Sequence, residues 1–416
     1  MQTINGGDEV REFFEKKEIT CIVFVIIMFT FSILNFSRAY EPLKNVIEEE
    51  QFKAGSITLP NISLLINSLE SEINKTIFHR FGFVEAFGYL QLLMGKHEQS
   101  NFETVKDTNG LLHFTYFADS PRNIKSLAAS VNNLKRDIVG QDTELLYFMT
   151  PSKYIVGQTE FPTGMPYSFE NETADEFLQI LDENGVGTID LRERILANGM
   201  LYDEVFFKSD HHWKIESSFW AFTELVDGLN KKYDVGIDEE GFYTNIDNYN
   251  LITYPNSYIG SMGRQTGKYY SGVDDFTIMY PKFRTNFEFS IGFDSLEENQ
   301  FSGLFEDVFI SSYILNRVSD PYNAQTDKYF SYLMGNQSIA HIKNLNNPEG
   351  LKVVFIKDSM VVPVISFFAN VCSEIHFVDP RYYSGDIAEF INSLEGIDFV
   401  ILSFYPQNMT QQFFPF

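Results

Sequence analysis

Leu351-Lys352-Val353-Val354-Phe355-Ile356 is the run whose reading decides the fold. It reads as a strand, and the chain after it alternates regularly: a helical pattern from Met360 to Val371, a strand from Glu374 to Val378, a helix from Asp386 to Leu394 and a strand from Asp398 to Phe404. That is two consecutive βαβ units, the building block of a parallel sheet. Further back, Ile124 to Val139 has its apolar residues at helical spacing, and Glu144 to Met149 follows as a buried strand. A second pair runs from Thr173 to Asn184 and from Thr188 to Leu191. The predicted fold class is therefore α/β, a parallel sheet flanked by helices.

The ends of the chain differ in character. Residues 1–18 are charged and polar, whereas residues 19–36 carry no charge at all. At ~1.5 Å rise per residue that apolar stretch is ~27 Å long, close to the hydrocarbon thickness of a bilayer. It reads as one transmembrane helix; of the two readings, an anchor and a cleaved signal, the anchor is favoured because Ser37-Arg38-Ala39 is a poor small-residue cleavage site. Arg11, Lys16 and Lys17 precede it and only Arg38 and Lys44 follow closely, a bias that places the N-terminus in the cytoplasm and the rest outside. Residues 37–60 are expected to be a polar linker and 61–416 an extracytoplasmic domain. Within that domain residues 240–345, rich in Tyr, Asn, Gly and Phe, read as strands, loops and a covering or inserted region.

Composition excludes some function classes. A formal net charge of −26 opposes nucleic-acid binding, which needs clustered Lys and Arg. With Cys21 in the apolar run and Cys372 alone in the remainder, no disulfide staples the soluble part. No phosphate-cradling glycine loop and no dinucleotide fingerprint occurs, so no cofactor is expected. The 42 Phe and 22 Tyr include possible sugar-stacking platforms, although most aromatic residues in a folded chain lie in the core.

In a parallel α/β sheet, functional groups gather beyond the carboxyl ends of the strands. Here those positions hold Lys153, Asp210 to Trp213, Asp358-Ser359, Asp379 to Tyr383 and Tyr405 to Asn408. Ser359 falls where a strand turns into a helix, so nearby amides point toward a developing oxyanion. A serine needs a base, and a histidine oriented by a carboxylate is the usual one. Asp210 and His212, at i and i+2, would share one side of an extended segment, with His211 pointing elsewhere. Two blander readings stand beside this one: Ser359 as an ordinary helix N-cap, and Asp210 to Trp213 as a structural cluster. A metal reading uses Asp210, His211 and His212, with Asp379 or His376 completing the shell, but adjacent histidines seldom face one cation and His-x-x-x-His spacing is absent. No metal is expected.

Asp210-His211-His212-Trp213 resembles the name-giving motif of the DHHW protein family. The likeness extends to Lys357-Asp358-Ser359, to Asp379-Pro380-Arg381-Tyr382-Tyr383, and to Asn74 to Gly95 with Gly110-Leu111-Leu112. More distantly the chain resembles the SGNH-hydrolase-like proteins that O-acetylate alginate in bacteria, where an Asp-x-His-Trp motif precedes the nucleophilic serine. The resemblance implies an SGNH-hydrolase-like fold with the motif order permuted, with Ser359 as nucleophile, His212 as base and Asp210 as orienting acid. The glycine that often precedes the Asp-Ser pair is Lys357 here, which leaves Met360, Arg381 and Asn408 as oxyanion candidates. Lys153, Trp213, His211 and Tyr382 are the substrate-side candidates. The activity implied is that of a membrane-anchored O-acetyltransferase or acetylesterase acting on cell-envelope or exported polysaccharide through an acyl-serine. A membrane-bound O-acyltransferase is the partner this suggests. The alternatives are a catalytically weak scaffold that binds glycan or assembles an export complex, and metal-assisted deacetylation.

Overall fold

The computed structural model describes residues 6–54, 59–138, 143–292, 299–312 and 327–416. Residues 1–5 of the expected tail, 55–58 of the expected linker, Val139, and 293–298 and 313–326 of the expected covering region lie outside the described residues. The chain divides into two compact units, Met1–Ala86 and Phe87–Phe416.

In the first unit one helix, Gly6–Ala54, carries the whole apolar stretch. Its segment Lys16–Glu48 is long and apolar enough to cross a bilayer, and Ile19, Phe24, Phe29 and Phe36 all point outward. The helix also runs through most of the stretch expected to be a connector, where Lys44 and Glu48 pair one turn apart. A second helix, Leu59–Thr76, follows. Just beyond it the Phe78 amide donates to Asn35 Oδ1 at 2.8 Å, and Arg38 lies over the Phe78 ring.

The second unit contains the site. Its strands, in chain order, are β1 (Glu98–Gln99), β2 (Thr104–Lys106), β3 (Leu112–Phe114), β4 (Glu144–Met149), β5 (Gly187–Asp190), β6 (Tyr249–Tyr258), β7 (Asp274–Pro281), β8 (Phe287–Gly292), β9 (Asn299–Gly303), β10 (Ile339–Asn344), β11 (Leu351–Lys357), β12 (Cys372–Val378) and β13 (Phe399–Ser403). The main sheet has the order β5-β4-β13-β11-β12-β10-β8-β9. From β5 to β12 every pairing is parallel.

Burial explains why these five strands are parallel and central. On one face Leu146, Phe148, Val353, Phe355, Ile375, Phe377 and Ile401 pack with the helices Ile215–Tyr233 and Val362–Phe368. On the other face Leu145, Tyr147, Met149, Val354, Ile356, Val378 and Leu402 pack with Lys125–Asp137, Glu170–Glu183 and Ile387–Asn392. Strands apolar on both faces require such a helix layer on each side.

Two expectations change. The sheet is mixed, because β10, β8 and β9 add to it antiparallel from the region 240–345. In β8 the buried Phe287, Phe289 and Ile291 alternate with more exposed residues, as a sheet covered on one face allows. Tyr202 to Phe207 is not a strand either. Tyr202–Val205 forms one helical turn, in which the buried Tyr202 and Val205 sit at i and i+3, and Phe206 then bridges to Trp213.

Candidate active site

The segment 206–213 is a tight loop. The Phe206–Trp213 bridge closes it, and the Phe207 amide donates to the His212 carbonyl at 3.3 Å. Three neighbours hold it from outside. Asp274 accepts the Lys208 and Ser209 amides at 2.8 and 2.9 Å. The Leu112 amide, at the start of β3, donates to the Lys208 carbonyl at 3.0 Å. Lys153 Nζ donates to the carbonyls of Phe207, Lys208 and Asp210. Burial pushes the Lys153 ammonium down to about 7, with the Asp274, Asp210 and Asp107 carboxylates pulling the other way, and the three carbonyls take one N–H each of the charged form. Lys153 thus braces the loop, and it also lines the cleft beside His211.

This loop aims Asp210 and His212 at the end of β11. His212 Nδ1 is 2.9 Å from Asp210 Oδ1, and His212 Nε2 is 2.8 Å from Ser359 Oγ. All three side chains are buried. Ser359 opens the turn Ser359–Val361 that leads into Val362–Phe368, so the strand-to-helix junction expected from sequence is present. The loop is not extended, however, and both histidines therefore converge on Asp210: His211 Nδ1 lies 3.0 Å from the same Oδ1. His211 does not point elsewhere.

The electrostatics follow from burial and neighbours. Burial alone would raise the Asp210 carboxyl, but the two imidazoles and their hydrogen bonds outweigh it and hold it well below the usual carboxylate range. His212 is pushed down from its ordinary value by burial and by His211, with Asp210 pulling the other way. His212 is therefore neutral near pH 7, and the Asp210 contact fixes the proton on Nδ1, leaving Nε2 to accept. A neutral imidazole held in this way can take a proton from the Ser359 hydroxyl.

Much of what fixes the acid comes from the region 240–345. The Tyr258 phenol donates to Asp210 Oδ2 at 2.5 Å and the Ser261 amide donates to the same oxygen at 2.9 Å. Burial and the nearby carboxylates raise the Tyr258 phenol, so it stays a donor. Gly260 is required here: a Cβ on it would fall 2.2 Å from Asp210 Cβ. Tyr329 stacks on the His212 ring, with centroids 3.9 Å apart and planes at 13°. No periodicity or motif in the sequence signalled Tyr258, Ser261 or Tyr329.

The remaining sequence candidates have partners of different kinds. Trp213 is fully buried, and its indole N–H faces the Tyr329 hydroxyl and the Met360 carbonyl at 3.1 and 2.9 Å, so it is a core brace and offers no sugar platform. The Met360 amide donates to Asp358 Oδ1 at 2.9 Å and is already committed. Asn408 Nδ2 donates to Asp358 Oδ2, also at 2.9 Å, which uses one of its two N–H groups. Asp358, pushed up by burial and pulled back by these donors and the Tyr405 amide, is the hub behind Ser359. Arg381 makes a two-pronged pair with Asp379, through Nε at 2.9 Å and Nη2 at 2.7 Å. Lys357 Nζ reaches Asp379 at 3.2 Å and Asn336 at 3.0 Å. Asp379 is thus held by two cations and does not join Asp210, while His376 lies in a different cluster, with His341 and Glu374. Tyr382 is 51% exposed, and the Arg381 guanidinium lies over its ring, 5.2 Å from the centroid.

A narrow cleft runs beside His211. Phe114, Tyr154, Phe161, Glu170, His211 and Tyr405 are among its walls. Burial pushes Glu170 up to about 7, Ser152 donates to its Oε1 at 2.6 Å, and Oε2 has no partner.

Comparison with known proteins bears on the fold. Residues 113–246 match the SGNH hydrolase-like domain of the acetyltransferase AlgX, a stretch that includes Asp210 and His212 and ends before Ser359. No match was found among curated protein sequences. Among solved structures, a DHHW family protein from Eubacterium siraeum DSM 15702 is similar with a TM-score of 0.58 and 18% identity, covering 76% of this chain and 95% of that one. Bacillus cereus PatB1 is similar with a TM-score of 0.59 and 18% identity, over 75% of this chain and 98% of that one. PatB1 with a sulfonyl adduct gives a TM-score of 0.57 at 17% identity, over 75% and 97%. The chain therefore carries an SGNH-hydrolase-like domain with the fold seen in the DHHW family protein and PatB1.

Proposed function

We propose that the protein is a membrane-anchored, extracytoplasmic serine O-acetyltransferase or acetylesterase that acts on cell-envelope or exported polysaccharide. The observation that carries this reading is the unbroken contact chain from Asp210 through His212 to Ser359 at the carboxyl edge of the parallel strands. The match to the SGNH hydrolase-like domain of an acetyltransferase and the long apolar helix near the N-terminus support it.

In the proposed mechanism, Ser359 Oγ attacks the carbonyl carbon of an acetyl ester while His212 Nε2 takes its proton. Collapse of the tetrahedral intermediate breaks the bond to the departing alkoxide, and His212 returns the proton to it. A sugar hydroxyl or water then gives its proton to His212 and attacks acetyl-Ser359, and the serine oxygen recovers the proton as it leaves. Asp210 holds the tautomer and offsets the imidazolium. With the Met360 amide committed, the oxyanion donors we assign are the second N–H of Asn408 Nδ2 and the Ser359 amide at the first position of its turn. The aromatic cleft beside His211 and the exposed Tyr382 are the proposed sugar contacts. A membrane-bound O-acyltransferase that delivers acetyl groups is the proposed partner.

The test is to incubate the detergent-solubilised chain with p-nitrophenyl acetate and to look for an acetyl adduct by mass spectrometry. Turnover with an adduct on Ser359 is expected, and Ser359→Ala should lose at least ~10³-fold in rate. Turnover unchanged in Ser359→Ala would sink the mechanism. Glycan binding without any turnover in the wild type would favour the scaffold reading.

A further inference from the structure

A second pair of histidines lies in the main sheet, outside the site described above. His341 on β10 and His376 on β12 face each other directly in the antiparallel register. Their rings stack with centroids 4.1 Å apart and planes at 3°. Glu374, two residues before His376 on the same face of β12, brings its carboxylate to 3.8 Å from His341 Nε2 and 4.0 Å from His376 Nε2. One ligand atom from each of the three side chains lies within 4.8 Å of the others.

Two features suit this cluster to a ligand. His341 Nε2 and His376 Nδ1 are buried without a hydrogen-bond partner, in a residue only 6% exposed in the case of His376. A buried polar atom left unpaired costs ~1–3 kcal/mol, so such atoms call for an explanation. The cluster is also reachable, because the side chains of His341 and Glu374 keep 26% and 24% of their surface exposed. The competing charges are basic: Lys343 and Lys352 sit opposite Glu374 on the two neighbouring strands, with Lys352 Nζ 3.9 Å from its carboxylate.

We infer that His341, Glu374 and His376 form a binding site for a divalent transition-metal ion of the zinc type. Two imidazoles and one carboxylate are a known donor set for zinc, with a further position left for water. The ion would clamp β10 to β12, the seam at which the sheet changes from parallel to antiparallel. The site is separate from Ser359: Val354, beside His376 in the register, precedes it by about five residues, or ~16 Å of extended strand. Its role is to hold the antiparallel flank, not to take part in the reaction.

The experiment titrates the metal-free, detergent-solubilised full-length chain with Zn²⁺ by calorimetry and follows thermal unfolding in parallel. Wild type and His212→Gln should each bind one equivalent and melt at higher temperature with Zn²⁺. His341→Gln and His376→Gln should each lose more than about tenfold in affinity and most of the thermal shift. Should His376→Gln fail to fold, His341→Gln at the more exposed position carries the test. Absence of binding by the wild type, unchanged binding in His341→Gln, or loss of binding in His212→Gln instead would overturn the assignment.

Discussion

Among the described residues, two constellations of two histidines and one carboxylate occur, and they are built to opposite specifications. Around Asp210 the imidazoles of His211 and His212 approach one oxygen, while Tyr258 and Ser261 donate to the other. Around Glu374, two imidazoles stack with ring nitrogens left unpaired, and no protein donor closer than 3.8 Å reaches the carboxylate among the described ion pairs. The first arrangement fixes where one proton sits, which suits proton transfer. The second leaves lone pairs unspent, which suits a cation. The same three residue types thus acquire different chemistry from the hydrogen bonds that surround them, and residue identity alone does not separate the two.

Neutralising each carboxylate in turn should separate the two clusters most strongly. Asp210→Asn should lower kcat/KM toward an activated acetyl ester by about 10⁴-fold, because the amide no longer holds the productive tautomer of His212. Glu374→Gln should leave that rate unchanged. Equal losses in the two variants would erase the distinction.

A smaller effect probes the unpaired nitrogens. In the presence of a chelator, His376→Leu should be neutral or stabilising by up to ~1–3 kcal/mol, since it removes a buried polar atom that has no partner. Urea unfolding of the chelated proteins measures it, and a clear destabilisation would mean that the nitrogen is satisfied after all.

The smallest effect concerns pH. His212 is pushed below its ordinary value, so its neutral, proton-accepting form persists below pH 6.5 and is lost only as pH falls through the depressed value. The acid limb of the kcat/KM profile should therefore lie below 6.5. Because His211 is one of the groups that push His212 down, His211→Gln should move that limb upward. A limb that moves downward, or not at all, contradicts the coupling.

How far the sequence revealed all this depended on where each residue's partners lie along the chain. The strands β4, β11, β12 and β13 were legible because burial on both faces leaves almost no polar residue in runs such as Leu145 to Met149 and Val353 to Ile356. Ser359, His212 and Asp210 could be paired because each follows a strand or loop whose end faces one rim. Tyr258, Ser261 and Gly260 were not legible, since their contacts with Asp210 span about fifty residues and leave no local period behind. Trp213 misled for a related reason: beside a reactive motif it reads as a binding residue, yet its indole is spent on Tyr329 and Met360 inside the core. Met360 misled similarly, because it sits at the rim but its amide is already taken by Asp358.

The glycine at position 260 has a consequence for how the protein matures. Its close approach to Asp210 joins the loop 206–213 to a segment about fifty residues later, and the serine that both serve follows some hundred residues beyond that. Such separations are closed late and slowly in folding, after local helices and hairpins have formed. Under the proposed function, ester turnover would therefore return only once the last long-range contacts have closed, and its recovery after dilution from denaturant would be a clock for the completion of folding, running behind the recovery of helical signal.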